Sequence, residues 1–243
     1  MRALLKIAYL GTAYHGWQVQ PNGVTVQEKL QDALEAVYKE RLGVTGCSRT
    51  DAGVHAREFY CHFDTDIAIP ENGVVAALNA KLPDDITALE CKYVDDDFHA
   101  RYNSLGKNYV YRILNSLISS PFDFDRVWHI SRPLDLEKMN DCLSRIIGTH
   151  DFVSFSSSGR TVEDTVRTVS ECKACRHGDY IEISVTANGF LYNMVRIIVG
   201  TAVEASDGRI SPSEIDTILS SGDRSLAGIT APPQGLYLNK VFY

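Results

Sequence analysis

Apolar residues recur along this chain at two spacings, every second position in some stretches and every third or fourth in others. Ala3, Leu5, Ile7 and Tyr9 alternate with positions that include Lys6, the period of a strand with one buried face. The stretch from Gly11 to Gly23 holds Gly16, Pro21 and Asn22 and predicts a loop. Thr25-Val26-Gln27-Glu28 has the form of a capping box, and Val26, Leu30, Ala33, Leu34 and Val37 follow at helical spacing up to Gly43. Phe59, Cys61 and Phe63 share one face of a second strand whose other face carries Tyr60 and His62. A second helix is predicted near Asn72 to Lys81, ending at Leu82-Pro83, and Asp95-Asp96-Asp97 reads as a solvated acidic turn.

From Lys107 the order of elements restarts. Tyr109 to Leu114 reads as a strand, a loop with Pro121 follows, and a helix starts near Asp135 with Leu136, Met139, Cys142, Leu143, Ile146 and Ile147 as its stripe and Gly148 as its stop. Ser156 to Gly159 is a loop by composition, with Arg160 beside it in reach of a phosphate. Val166 to Cys175 and Tyr180 to Ala187 form a hairpin turning at His177-Gly178-Asp179. Tyr192 to Val203 is an apolar helix interrupted by Arg196, Ser211-Pro212-Ser213-Glu214 caps a helix packed by Ile215, Ile218 and Leu219 and ended by Gly222, and Leu236 to Phe242 is a last strand. These patterns predict an α/β (α+β) protein of two related halves, residues 1–105 and 106–243, with mainly antiparallel sheets, helices on one side and a cleft between the halves.

With 243 residues, 44% of them hydrophobic and 23% charged, the chain can bury a substantial core. Its net charge of −7 argues against a nucleic-acid partner unless the cations are segregated. Arg49, Arg57, Arg101, Lys107, Arg112, Arg160, Arg167 and Arg196 are the candidates for such a basic surface. Lys6 breaks the first apolar run, so no signal peptide is read, and no stretch approaches the roughly 18 apolar residues of a membrane span. Six cysteines without a secretion signal point to free thiols and the cytoplasm. Cys172 and Cys175 form a CxxC, but on a strand their side chains point to opposite faces and no second pair completes a zinc site.

The densest chemistry lies in Cys47-Ser48-Arg49-Thr50-Asp51-Ala52-Gly53-Val54-His55-Ala56-Arg57, which brings a carboxylate, two guanidiniums, a hydroxyl and an imidazole to the mouth of a strand. Spacing alone leaves Asp51 either a nucleophile or base beside Arg49, or the first residue of an Asx turn. Arg196 is the other physical clue, since a guanidinium among Met194, Val195, Ile197, Ile198 and Val199 must reach solvent or a partner.

The wording of the stretch goes further. Arg49-Thr50-Asp51-Ala52-Gly53-Val54-His55-Ala56 resembles the catalytic-aspartate motif of the tRNA pseudouridine synthase A family. Tyr14 to Gln20, Val26 to Leu30, Leu78 to Ile86, Phe98-His99-Ala100-Arg101-Tyr102, Tyr109 to Arg112, Asn193 to Gly200 and Gly235 to Leu238 resemble further family segments in family order. The resemblance implies isomerisation of uridine to pseudouridine at positions 38 to 40 of the anticodon arm of tRNA, by a homodimer, with no cofactor and no metal. It implies Asp51 as the nucleophile, Arg196 as its ion partner and Tyr109 as the face on which the target uracil stacks. Arg49, Arg57, Arg101, Lys107 and Leu236 are the remaining substrate-binding residues that it suggests. Trp17 is left between packing anchor and RNA contact. The sequence departs from the family pattern at Ser48, commonly glycine, and at Asn108, often a cation.

Two other readings make different demands. A metal-dependent phosphohydrolase using Asp51, His55 and His62 needs several converging carboxylates or imidazoles, and only His62 and Asp64 lie near enough in sequence to help. A non-catalytic RNA-binding module needs Tyr109 and Tyr111 to stack bases on an open sheet.

Overall fold

The computed structural model describes residues 1–159 and 163–243, so Arg160 lies outside the described residues. Its contacts separate into two units, Met1–Leu105 with Tyr237–Tyr243, and Gly106–Leu236. Each is an α+β body with a mostly antiparallel sheet.

In the first unit, β1 (Arg2–Tyr9) lies antiparallel between β3 (His55–Asp64) and β4 (Ile86–Val94). The short β2 (Val44–Gly46) pairs with β3, and β10 (Leu236–Phe242) joins β3 in parallel, Tyr237 opposite His55. Ala3, Leu5, Ile7, Tyr9, Phe59, Cys61 and Phe63 are all buried, as their alternation requires. Helix α1 (Val26–Tyr38) starts where Thr25 Oγ1 accepts the Glu28 N–H. It stops at Lys39, in the left-handed region at φ 62°, rather than running to Gly43. Tyr38 supplies the last buried position instead of Val37, which is half-buried. Helix α2 (Glu71–Asn79) packs on β4.

Strand β4 was not expected, and the reason is a bulge. Lys6 pairs with Glu90 but Ile7 pairs with Ala88, leaving Leu89 extra and exposed. Ile86, Ala88 and Cys91 are therefore buried out of phase, and no clean period of two survives in the sequence.

In the second unit β5 (Gly106–Leu114) pairs antiparallel with β9 (Tyr180–Ala187), β9 with β8 (Val166–His177), and β8 with β7 (Gly148–Asp151); β6 (Trp128–His129) runs parallel to β5. Gly178, at φ 61°, makes the predicted turn between β8 and β9. Helix α3 (Leu136–Ser144) is capped by the Asp135 carboxylate and packs on β8 and on α4 (Met194–Ser206). It ends before Ile146 and Ile147, the latter 45% exposed, so the expected stripe overruns the helix. The capping box at Ser211 opens a 3-10 turn, Pro212–Glu214, which leads into α5 (Ile215–Ser221). Gly222 closes α5 at φ 68°. Among the described residues no helix is long and apolar enough to cross a membrane, and all six cysteines are free thiols.

Candidate active site

The Asp51 loop is held by the segment that precedes α1. At its start the Cys47 N–H donates to Tyr60 O, at 2.7 Å, and at its end the Val54 N–H donates back to Asp51 O, at 3.1 Å, closing a turn through Gly53 at φ 78°. Between them Thr50 is clamped from both sides. Its hydroxyl meets Tyr9 Oη at 2.9 Å, and its carbonyl accepts the Trp17 N–H at 3.2 Å. The Gly53 N–H donates to Tyr14 O, at 3.2 Å, and the Gly11 N–H donates to Nδ1 of the fully buried His55, at 2.9 Å. Tyr14 in turn donates its hydroxyl to Asp85.

The two loops touch so closely that glycine is required at the contacts. A Cβ on Gly16, which sits at φ 83°, would lie 2.4 Å from Thr50 O, and one on Gly11 would lie 2.0 Å from Val54 O. Trp17 is 1% exposed and lies on Phe59 with ring centroids 4.1 Å apart, so it is a packing anchor. His55 also belongs to this scaffold, its ring 4.6 Å from that of Tyr237.

This scaffold leaves Asp51 half-buried and Arg49 exposed. Arg57 is exposed, lies over the Tyr237 ring at 5.2 Å and donates to Asn239 Oδ1 at 3.2 Å. Arg101 is exposed over Tyr102. These four residues belong to the first unit, whereas Lys107, Tyr109, Arg196 and Leu236 belong to the second.

In the second unit Tyr109 stands on β5 opposite Val185, its ring edge-on to Phe190 at 4.9 Å. Asn108, where the family often has a cation, donates to Ser184 Oγ and Thr186 Oγ1 at 2.9 and 2.8 Å. Lys107 is buried. Within its own unit Arg196, the charge in an apolar helix, donates from Nε to Ala231 O and from Nη1 to Asn193 Oδ1, both at 2.7 Å. Leu236 is buried just after the Pro233–Gly235 turn. Tyr111 has no exposed surface and donates its hydroxyl to Pro232 O at 2.7 Å, so it offers no face for a base. Arg112 and Arg167 have carboxylate neighbours, Glu182 at 3.3 Å and Asp164 at 3.9 Å, and contribute less free positive charge than expected. Among the described residues no three His, Cys, Asp or Glu side chains group as a metal site.

The profile of a family described as tRNA pseudouridine synthase matches residues 6–103 and 143–243. The chain belongs to the tRNA pseudouridine synthase family. It is similar to tRNA pseudouridine synthase A of Thermoanaerobacter sp. (strain X514), 49% identical over 240 residues that cover 99% of this chain and 98% of the relative. Clostridium perfringens tRNA pseudouridine synthase A 2 is 45% identical over 98% of both chains, and an Exiguobacterium tRNA pseudouridine synthase A is 44% identical over 100% and 98%. Lys107 and Tyr109 fall between the two matched segments of the synthase profile, whereas the alignments to these synthases run through nearly the whole chain. The synthase-like Tyr14 to Gln20 segment thus acquires a physical role, because it is the mould in which the Asp51 loop is cast. Sequence reasoning missed Tyr9, Gly11 and Thr50 as parts of that mould, and only the glycine at the loop's first position hinted at a close approach.

Proposed function

We propose that this protein isomerises uridine to pseudouridine in tRNA, at positions 38 to 40 of the anticodon arm, with Asp51 as nucleophile and with no metal or cofactor. The observation that carries the reading is the Asp51 loop, which lies inside the family match and is fixed from both sides by Tyr9, Gly11, Tyr14, Gly16 and Trp17. The reaction breaks the bond between ribose C1′ and uracil N1 and forms one between C1′ and C5. The proton on C5 leaves and N1 takes one up, so nothing is oxidised, reduced or added. A carboxylate on a rigid loop suits nucleophilic attack on the ring or the ribose, or assistance to elimination at the sugar.

In this reading Arg196 pairs with the Asp51 carboxylate and keeps it ionised and aimed. Lifting the nucleotide out of its stack costs a few kcal/mol, offset by stacking of the uracil on Tyr109 and by Arg49 in the space left behind. Arg57 and Arg101, both exposed, meet the RNA backbone and Leu236 lines the base, whereas Lys107, expected beside them, is buried. The enzyme works in the cytoplasm. Tritium release from tRNA labelled at uridine C5 is the direct test. Wild-type protein is expected to release label equally with and without EDTA; loss on chelation would sink the metal-free mechanism, and no release at all would sink the activity.

The protein acts as a homodimer. Its support is the loop after β5, where Leu117, Ile118, Phe122 and Phe124 are 82, 79, 86 and 76% exposed. The loop is braced by Tyr180 Oη donating to Asp123 at 2.7 Å and Ser116 Oγ donating to Ile118 O at 2.6 Å, so these side chains are held outward. Sedimentation at low micromolar concentration is expected to give twice the 27.0 kDa chain mass, and Phe122→Ser with Phe124→Ser to give the monomer. A wild-type monomer overturns it.

A further inference from the structure

We propose that His62 and Tyr243 are positioning residues that grip the two backbone polar groups of Ala100 and thereby present Arg101 to a phosphate of the bound RNA. The inference rests on the reading above that the substrate is tRNA and that Arg101 meets its backbone.

Ala100 is fully buried, and a different strand supplies the partner for each of its backbone groups. Its N–H donates to Nδ1 of His62 on β3, at 3.2 Å, and its carbonyl accepts the hydroxyl of Tyr243, just past β10, at 2.6 Å. A third strand anchors the same turn. Arg2 of β1 forks onto Asp64 through Nε and Nη2, at 2.8 and 2.9 Å, and its Nη1 donates to Phe98 O at 2.8 Å. The Tyr243 ring lies between those of Tyr60 and Phe98, 5.2 and 5.3 Å away.

The rest of the turn closes on itself. Asn103 Oδ1 accepts the His99 N–H at 2.7 Å, and the Asn103 N–H donates to His99 O at 3.0 Å. His99 Nδ1 accepts the N–H groups of Arg101 and Tyr102, at 3.1 and 3.3 Å, and its ring lies 4.2 Å from Tyr102 and 4.9 Å from His62. What this fixed backbone leaves exposed is the Arg101 guanidinium, 5.9 Å over the Tyr102 ring. Among the described residues no carboxylate pairs with it.

The grip has a protonation requirement. Nδ1 of His62 accepts only when the ring is neutral, with its proton on Nε2. Burial, then the neighbouring Arg2 and His99, push His62 down to about 4 against the smaller opposing pull of Asp64, so the acceptor form prevails at neutral pH. Burial pushes the Tyr243 phenol upward and keeps it a donor.

Filter binding of unmodified tRNA by the full chain at two salt concentrations tests the proposal. Arg101→Gln is expected to reduce the slope of log K against log salt by about one. Tyr243→Phe keeps the ring but loses the hydrogen bond, and is expected to weaken binding about three- to tenfold. Acting through Arg101, it is expected to have almost no further effect in an Arg101→Gln background. His62→Asn, whose amide oxygen replaces Nδ1 as acceptor, is expected to retain affinity that His62→Ala loses. Should His62→Ala fail to fold, Tyr243→Phe carries the test. Wild-type affinity in Tyr243→Phe, or an undiminished effect of it without Arg101, overturns the proposal. Tritium release separates the two readings: protein that binds tRNA without releasing label sinks the activity and leaves the grip testable, whereas protein that binds no tRNA overturns both.

Discussion

Asp51→Ala and Asp51→Asn are each expected to lower tritium release from C5-labelled tRNA by on the order of 10^4-fold or more, as loss of a nucleophile does elsewhere. The Asn variant keeps the shape of the side chain and removes its charge, so it separates nucleophile from spacer. Affinity for tRNA is expected to change by less than about threefold, because phosphate contacts from several cations, not one carboxylate, hold the RNA. The fold should tolerate both changes. Asp51 is half-buried, while the loop's position is set by the Thr50 contacts and by Gly53, which neither substitution touches. Single-turnover release measured at saturating tRNA, beside a melting curve for each variant, checks the expectation. Release by Asp51→Asn within about tenfold of wild type would remove Asp51 from the chemistry and leave the loop a binding element only.

Most elements are placed by local signals along the chain. Thr25, Asp135 and Ser211 mark helix starts because a side-chain oxygen there meets an N–H two or three residues on, and Gly178 and Gly222 mark a turn and a stop because the backbone there is left-handed. Elements whose residues do not keep a period were lost. The extra Leu89 shifts the phase of β4, and β7 is Gly-Thr-His-Asp, which has no apolar alternation to read. The α3 stripe was overextended because Ile146 stays buried after the helix has ended.

The candidate chemistry stood out in the sequence for a different reason. The Arg49 to Ala56 motif, the Phe98 to Tyr102 segment and Arg196 are recognisable as words of a family, whatever their neighbours. What supports those words was hidden, since Tyr9 reaches Thr50, Gly11 reaches His55 and Tyr243 reaches Ala100 across 41, 44 and 143 residues. No window of local pattern spans such distances. Likewise β10 reads as a strand, but its pairing of Tyr237 with His55 does not.

Gly16→Ala is expected to cost both stability and turnover, and it tests the mould without touching Asp51. At φ 83° an alanine there is strained by about 1–3 kcal/mol. Its Cβ would also stand 2.4 Å from Thr50 O, 3.2 Å from the Asp51 carbonyl carbon and 3.4 Å from Ala52 N, all backbone atoms that cannot swing aside. The Asp51 loop must therefore move, and a displacement of about 1 Å at a reacting group costs about 10^2-fold in rate. Gly43→Ala is the matched control, because a Cβ there meets nothing within 4 Å. Its stability is expected to stay within about 0.5 kcal/mol of wild type. The Gly16 variant should unfold at lower denaturant and release tritium about 10^2-fold more slowly at saturating tRNA, with the tRNA affinity little changed. A variant that is destabilised yet turns over at the wild-type rate would show that the loop finds its catalytic position without this contact.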